Sequence, residues 1–119
     1  MTIKKWGVLL VAGVILSACA NTQRAKPLYA WGHYEPSLYA YFKGDNNYNA
    51  EYITKLEADI EKASAKNEAI APGVYAHLGL LYASLNRLPE AKNAFNEEKR
   101  LHPDSAHFMN FLMTQKGVR

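Results

Sequence analysis

The segment 72–105 carries two helical patterns whose small residues face one another. Pro72 opens one predicted helix and Pro89 opens the next, because proline fits the first turn of a helix without losing a hydrogen bond. Gly79 lies within the first pattern, where glycine costs about 1 kcal/mol relative to alanine. That cost is offset only if the helix packs closely on its partner, which has the small Ala91. The segment therefore predicts two tightly packed antiparallel helices.

The spacing within this segment resembles the tetratricopeptide repeat (TPR), in which large-x2-Leu-Gly-x2-Tyr is followed by Ala-x3-Phe and a closing proline. The matching residues, which are expected to pack the repeat, are Tyr75, Leu78, Gly79, Tyr82, Ala91, Phe95 and Pro103. The chain departs from the pattern at Glu98, where the family prefers a small residue. We therefore expect the far end of the helix pair to splay or to face solvent.

Three further helices are predicted from apolar spacing and turn residues, over 37–42, 50–66 and 105–116. No segment has the alternation and β-branched enrichment of a strand. The predicted fold is all-α: a short TPR-like antiparallel helix-pair solenoid of about five helices over 29–119. The helix 105–116 is expected to cap it, because a single repeat cannot bury both of its faces.

The first 18 residues have the layout of a secretory signal peptide. Lys4 and Lys5 precede an apolar run over 6–16, and small residues follow it. A run of this length is too short to cross a bilayer, which takes about 20 residues. The sequence thus favours a cleaved signal over 1–18 rather than an uncleaved anchor helix.

The motif Leu16-Ser17-Ala18-Cys19 resembles the lipobox of bacterial lipoproteins. The resemblance implies cleavage before Cys19, a diacylglycerol on its sulfur and a further acyl chain such as palmitate on its amino group. Several acyl chains anchor a protein stably where one is marginal. Ala20 stands where Asp would favour the inner membrane, which implies the periplasmic face of the outer membrane. Residues 19–28 are predicted to be the lipidated tether.

Composition narrows the functional classes. A chain of 119 residues allows one small domain, and its one Cys allows neither a disulfide nor a CxxC pair. Without Lys4 and Lys5 the charges nearly balance, which argues against nucleic acid binding.

The Glu57–Glu61 pair is typical of a solvated helix edge. No nucleotide, hydrolase or metal motif is present, so we predict no enzyme, cofactor or metal site. The histidines, none at metal-binding spacing, are His33, His77, His102 and His107.

A second resemblance covers nearly the whole mature chain. The stretches Trp31-Gly32-x-Tyr34-Glu35 and Leu38-Tyr39-x-Tyr41 follow a lipobox and precede a repeat. In this the chain is similar to small uncharacterised proteobacterial lipoproteins that are often encoded beside a lipoprotein related to the curli secretion channel. The resemblance implies a partner complex at the outer membrane, with such a channel-like lipoprotein as one candidate partner.

Two surfaces are candidates for binding. In TPR proteins the first helices of successive repeats line a concave groove, which here implies Ala76, Leu80, Ala83, Ser84, His107 and Asn110. An apolar groove suits an amphipathic helix or strand of a partner; alternatively, the N-terminal aromatic segment covers Leu80. The aromatic candidates, either end caps or an exposed interface, are Trp31, Tyr34, Tyr39 and Tyr41.

The sequence thus predicts a non-enzymatic outer-membrane lipoprotein that acts as an adaptor or as an assembly or stability factor for an envelope complex. The alternative is a periplasmic lipoprotein that recognises peptidoglycan or a small molecule through an aromatic pocket.

Overall fold

The computed structural model describes residues 25–119. The predicted signal peptide, Cys19 and the first part of the tether lie outside the described residues.

The described residues form helices and turns, which confirms the predicted all-α class and the count of about five helices. The helices are α1 (Tyr34–Phe42), α2 (Asn49–Ala65), α3 (Val74–Ser84), α4 (Leu88–Leu101) and α5 (Ala106–Gln115). Short 3-10 turns at Asn46–Tyr48 and Pro103–Ser105 precede α2 and α5. Within residues 25–119 there is no strand, only one parallel bridge between Ala30 and Ile70.

Turn residues set the helix boundaries. Gly73 precedes α3 with a φ of 96°, a left-handed conformation that favours glycine. Pro89 occupies the first turn of α4, as its missing N–H predicts. Asn86, with a φ of 57°, reverses the chain between α3 and α4. The predicted helices agree with these bounds to within two residues, except that α1 begins at Tyr34 instead of residue 37.

The α3–α4 hairpin is the centre of the fold. Helix α2 packs on α3, α5 packs on α4, and α1 contacts both α2 and α3. The core is continuous across these helices and is made by Ile53, Leu56, Ala76, Leu78, Leu81, Tyr82, Ala91, Ala94, Phe95, Met109 and Val118.

Gly79 makes room for an aromatic ring. A Cβ atom built on Gly79 would lie 2.6 to 2.9 Å from three ring atoms of Phe95, which is fully buried. The glycine is therefore explained by the Phe95 ring above it, whereas the sequence suggested a close approach of two backbones. Ala91 is fully buried on α4 and keeps that side of the hairpin narrow.

We expect Gly79→Ala to destabilise the fold although alanine is the better helix former. The helix propensity gain is about 1 kcal/mol, but overpacking against an enclosed ring costs about 1–3 kcal/mol. The net loss of unfolding free energy, measured by urea denaturation, should be about 1 kcal/mol.

Phe95→Leu provides the control background, because leucine removes the ring atoms that the new methyl group would meet. In that background Gly79→Ala should cost less than in the wild type. Stabilisation of the wild-type chain by Gly79→Ala would contradict this account of the hairpin.

Candidate functional site

The N-terminal segment is fixed on α2 by one carboxylate. The Asp59 Oδ2 atom accepts a hydrogen bond from the His33 backbone N–H at 2.6 Å and lies 2.8 Å from His33 Nδ1. Gly32 has a φ of 50°, and a Cβ atom there would lie 2.2 Å from the same oxygen. Ala30 donates its N–H to the carbonyl of Ala69 at 2.8 Å, which joins the segment to the loop before α3.

A buried polar pair joins α1 to α3. Ser37 Oγ lies 2.7 Å from His77 Nε2, and both residues are buried. The rings of Tyr34 and Tyr41 meet the His77 imidazole edge-on, with centroids 5.9 and 5.5 Å away. Burial lowers the pKa of His77 to about 4, so the imidazole is neutral at pH 7. This contact places α1 on one side of α3.

Glu98 contradicts the expectation that this end of the hairpin splays or faces solvent. Its side chain is 2% exposed. One carboxylate oxygen accepts the Gly73 N–H at 2.7 Å, and the other accepts the Ala76 N–H at 3.2 Å. The first N–H groups of a helix have no partner within the helix and carry a partial positive charge. A carboxylate at this position accepts their hydrogen bonds and is attracted to that charge. Glu98 therefore caps α3 from the neighbouring helix.

The four predicted interface aromatics fall into two pairs. Tyr34 and Tyr41 are half-buried against the core, whereas Trp31 and Tyr39 are 47% and 66% exposed. Phe42, which belongs to the same aromatic segment, is 76% exposed at the end of α1. The aromatic segment thus contributes to both the core and the surface.

The α3 members of the predicted concave groove are mostly occupied by contacts within the chain. Ala76 is buried, and Leu80 and Ala83 are half-buried against the core. The Ser84 hydroxyl accepts a hydrogen bond from the Asn49 amide at 2.8 Å. Little apolar surface of α3 is left for a partner on this side.

The α5 members lie on the surface. His107 and Asn110 are exposed, and the Asn110 side-chain oxygen accepts a hydrogen bond from the Lys99 amino group on α4 at 3.1 Å. The prominent apolar feature of α5 is instead a stacked ring pair. Phe108 and Phe111 are each more than half exposed, with centroids 6.3 Å apart and an interplanar angle of 17°. The sequence predicted that α5 caps the solenoid and supplies His107 and Asn110 to the groove, but it did not indicate that this ring pair is exposed.

A cavity of about 390 Å³ lies between the N-terminal segment and α2. Tyr29 and Trp31 supply its aromatic lining and meet edge to face at 6.2 Å. Its charged lining consists of Lys26, Lys62, Lys66, Asp59 and Glu68. Aromatic faces beside lysine ammonium groups suit a ligand that combines an apolar ring face with negative charge.

A second depression runs between α2 and α4, with α3 as its floor. Two neighbouring cavities of about 750 and 220 Å³ are both lined by Tyr75 and Leu78, and we call them together the interhelix groove. The repeat pattern assigned both residues to packing; Leu78 is buried, whereas Tyr75 is only half-buried and borders the open groove. Tyr82 also lines the smaller cavity, and its hydroxyl donates a hydrogen bond to the Glu57 carboxylate.

Residues 25–119 contain no group of three or more His, Cys, Asp or Glu side chains that could hold a metal ion. Across the same range, every helix is too short or too polar to span a membrane.

The family model described as Domain of unknown function (DUF4810) matches residues 28–112, which is more than two thirds of the chain. No curated protein and no solved structure matches the chain.

We expect Glu98→Gln to destabilise the fold by about 1–3 kcal/mol, because the amide keeps only one of the two acceptors and loses the charge at the start of α3. The measurement is urea denaturation at pH 7. Glu97→Gln, at the neighbouring position, is the matched control. Glu97 is paired with Arg100 on the surface, so its replacement should cost less than about 1 kcal/mol. Equal losses for the two variants would contradict the capping role of Glu98.

The fold should lose stability as the pH falls from 6.5 to 4. His77 binds a proton near pH 6.5 when unfolded but only near pH 4 when folded, so acid favours the unfolded chain. The contribution of neutral His77 to the free energy of unfolding is fully present above pH 6.5, and about 3 kcal/mol of it is lost by pH 4. Unfolding free energies at pH 7 and pH 4.5 test this. In His77→Gln, which does not titrate, the difference between the two pH values should be smaller; an unchanged difference would exclude His77 as its source.

Proposed function

We propose that this chain, which belongs to the DUF4810 family, is a non-enzymatic outer-membrane lipoprotein that binds another protein of the bacterial envelope. In this role it is an adaptor or stability factor for an envelope complex, with no cofactor and no nucleic acid partner.

The exposed aromatic side chains at the two ends of the helix stack carry this proposal. Tyr39 and Phe42 are exposed on α1, and Phe108 and Phe111 are exposed on α5. Large exposed apolar surfaces in a soluble domain mark interaction sites, because leaving such groups in water is unfavourable. The stacked pair on α5 presents two ring faces at the point where a further helix would pack in a repeat array.

A TPR-like solenoid is consistent with this arrangement. In that proposal α1, α3 and α5 are the first helices of successive pairs, and the α3–α4 hairpin with Gly79 beneath Phe95 is the complete repeat. One face of α5 is then covered by no other helix of residues 25–119. That face is where the stacked phenylalanines lie.

The lipid anchor on Cys19 keeps the domain near the membrane. Among the described residues, Ala30 is the first with a backbone hydrogen bond to the helical body, and ten residues lie between it and Cys19. A fully extended tether of this length spans at most about 40 Å. The domain therefore works close to the periplasmic face of the outer membrane, where a channel-like lipoprotein related to the curli secretion channel is a candidate partner.

A second candidate function is supported by the cavity beside Trp31. Sugars stack on aromatic faces, and three lysines supply charge for the carboxylates of peptidoglycan. In this version the chain is a periplasmic lipoprotein that recognises peptidoglycan or a small anionic molecule.

The adaptor proposal predicts that the lipidated, C-terminally tagged chain recovers one dominant envelope protein from membranes solubilised in mild detergent. Phe108→Ser with Phe111→Ser should abolish that recovery, because it removes the exposed ring pair. Cys19→Ala should reduce it by releasing the chain from the membrane. The measurement is mass spectrometry of the eluted proteins.

Tyr39→Ser with Phe42→Ser is the matched control, since it removes two rings at the opposite end that are somewhat more exposed than the α5 pair. If this control abolishes recovery and the α5 variant does not, the partner binds α1. Absence of any specific protein, together with sedimentation of the chain with purified sacculi, would reject the adaptor and favour the peptidoglycan alternative.

A further inference from the structure

We propose that the interhelix groove is the docking site for a cationic amphipathic helix of the partner protein. This inference rests on the proposed adaptor function and adds to it a second contact surface, besides the α5 ring pair, and the chemistry of the partner segment that this surface takes.

The floor of the groove is one face of α3, on which Tyr75, Leu78 and Tyr82 are spaced at i, i+3 and i+7. Tyr75 is half-buried, whereas Leu78 and Tyr82 are only 4% and 7% exposed, so Tyr75 supplies most of the open apolar surface of this floor. On other sides of α3, Gly79 lies beneath Phe95, and His77 meets α1. Among the described residues nothing fills the volume above this floor.

The dimensions of the groove suit a helix of about three turns. The 11 residues of α3 extend for about 16 Å. Both walls are helices, which present rows of side chains rather than unpaired backbone groups, so a strand would find no hydrogen-bonding edge. Ile60 and Leu101 add apolar surface on the two walls. An apolar face of residues at i, i+3 or i+4 and i+7 matches this geometry.

The walls carry an excess of negative charge. The five lining carboxylates are Glu57, Glu61, Glu68, Glu90 and Glu97. Arg100 pairs with Glu97 at 2.8 Å, and Arg87 pairs with Glu90 at 3.0 Å. Glu61 and Glu68 have no cationic partner within residues 25–119.

Burial and the nearby carboxylates raise the pKa of both tyrosines on the groove floor. Burial raises the pKa of Tyr82 to about 12, and the Glu57 carboxylate contributes to the shift. Burial, with a smaller effect of Glu97, also raises the pKa of Tyr75. An occupant with lysine or arginine beside its apolar face would complement the groove, whereas an acidic segment would be repelled.

The test uses the acetylated and amidated peptide LKKLLKLLKKLLKL, which forms a helix with one leucine face and one lysine face. The protein is residues 19–119 with Cys19→Ala, which contains every described residue and needs no detergent that would bind the peptide. Fluorescence anisotropy of the labelled peptide gives the affinity. We expect saturable binding that weakens with added salt. The peptide with every lysine replaced by glutamate should not bind.

Two charge-reversal variants locate the site. Glu61→Lys with Glu68→Lys changes two groove carboxylates and should weaken binding at least tenfold. Glu35→Lys with Asp104→Lys makes the same change in net charge at exposed positions outside the groove, and should alter the affinity less than twofold. Equal effects of the two pairs would show that only overall charge matters and would overturn the inference.

Amide chemical-shift mapping gives an independent readout. Shifts should concentrate at Ile60, Tyr75 and Leu101. Shifts centred on Phe108 and Phe111, or on the cavity beside Trp31, would overturn the groove as the site.

Recovery of the partner from membranes separates this inference from the proposed function. Loss of the partner in Glu61→Lys with Glu68→Lys, but not in the control pair, supports the groove. A partner recovered equally by both variants would overturn the groove and leave the adaptor function standing. If the wild-type chain recovers no partner, the adaptor function itself fails.

Discussion

The buried carboxylate of Glu98 is the interaction on which the rest of the structure depends. Burying a charge is costly unless hydrogen bonds replace its water, and here two backbone N–H groups at the start of α3 do so. The bond to Gly73 also fixes the residue whose left-handed backbone turns the chain into α3. A Cβ atom on Gly73 would lie 2.7 Å from the Tyr34 hydroxyl, so the same point meets α1. One carboxylate thus helps to position three helices.

The helices packed around α3 determine which of its faces stay exposed. Helix α4 covers it through Phe95, and α1 covers it through His77. Tyr75 stays partly uncovered between α2 and α4, beside the buried Leu78. On the concave side implied by TPR proteins, Leu80 is half-buried and packs against the core. Within residues 25–119, the rings at the two ends of the stack stay more than half exposed. Binding capacity is therefore expected at the ends and in the interhelix groove.

Local signals predicted most of the fold, and tertiary contacts account for what they missed. Pro89 and the turn residues marked the ends of helices because their backbone preferences act within a few residues. Gly79 correctly indicated close packing, although the neighbour is the ring of Phe95. The role of Glu98 was missed because its spacing on α4 does not show that a helix start faces it. The interhelix groove was missed for a related reason: apolar spacing does not show which face of α3 its neighbours leave open.

The most direct test of this account is amide hydrogen exchange at Gly73 and Ala76. The first N–H groups of a helix usually exchange quickly, because they have no partner within the helix. If the Glu98 carboxylate holds both, their exchange should be as slow as that of core amides such as Leu81, and it should become fast in Glu98→Gln. Fast exchange of both amides in the wild-type chain would show that α3 starts without this cap and would contradict the account.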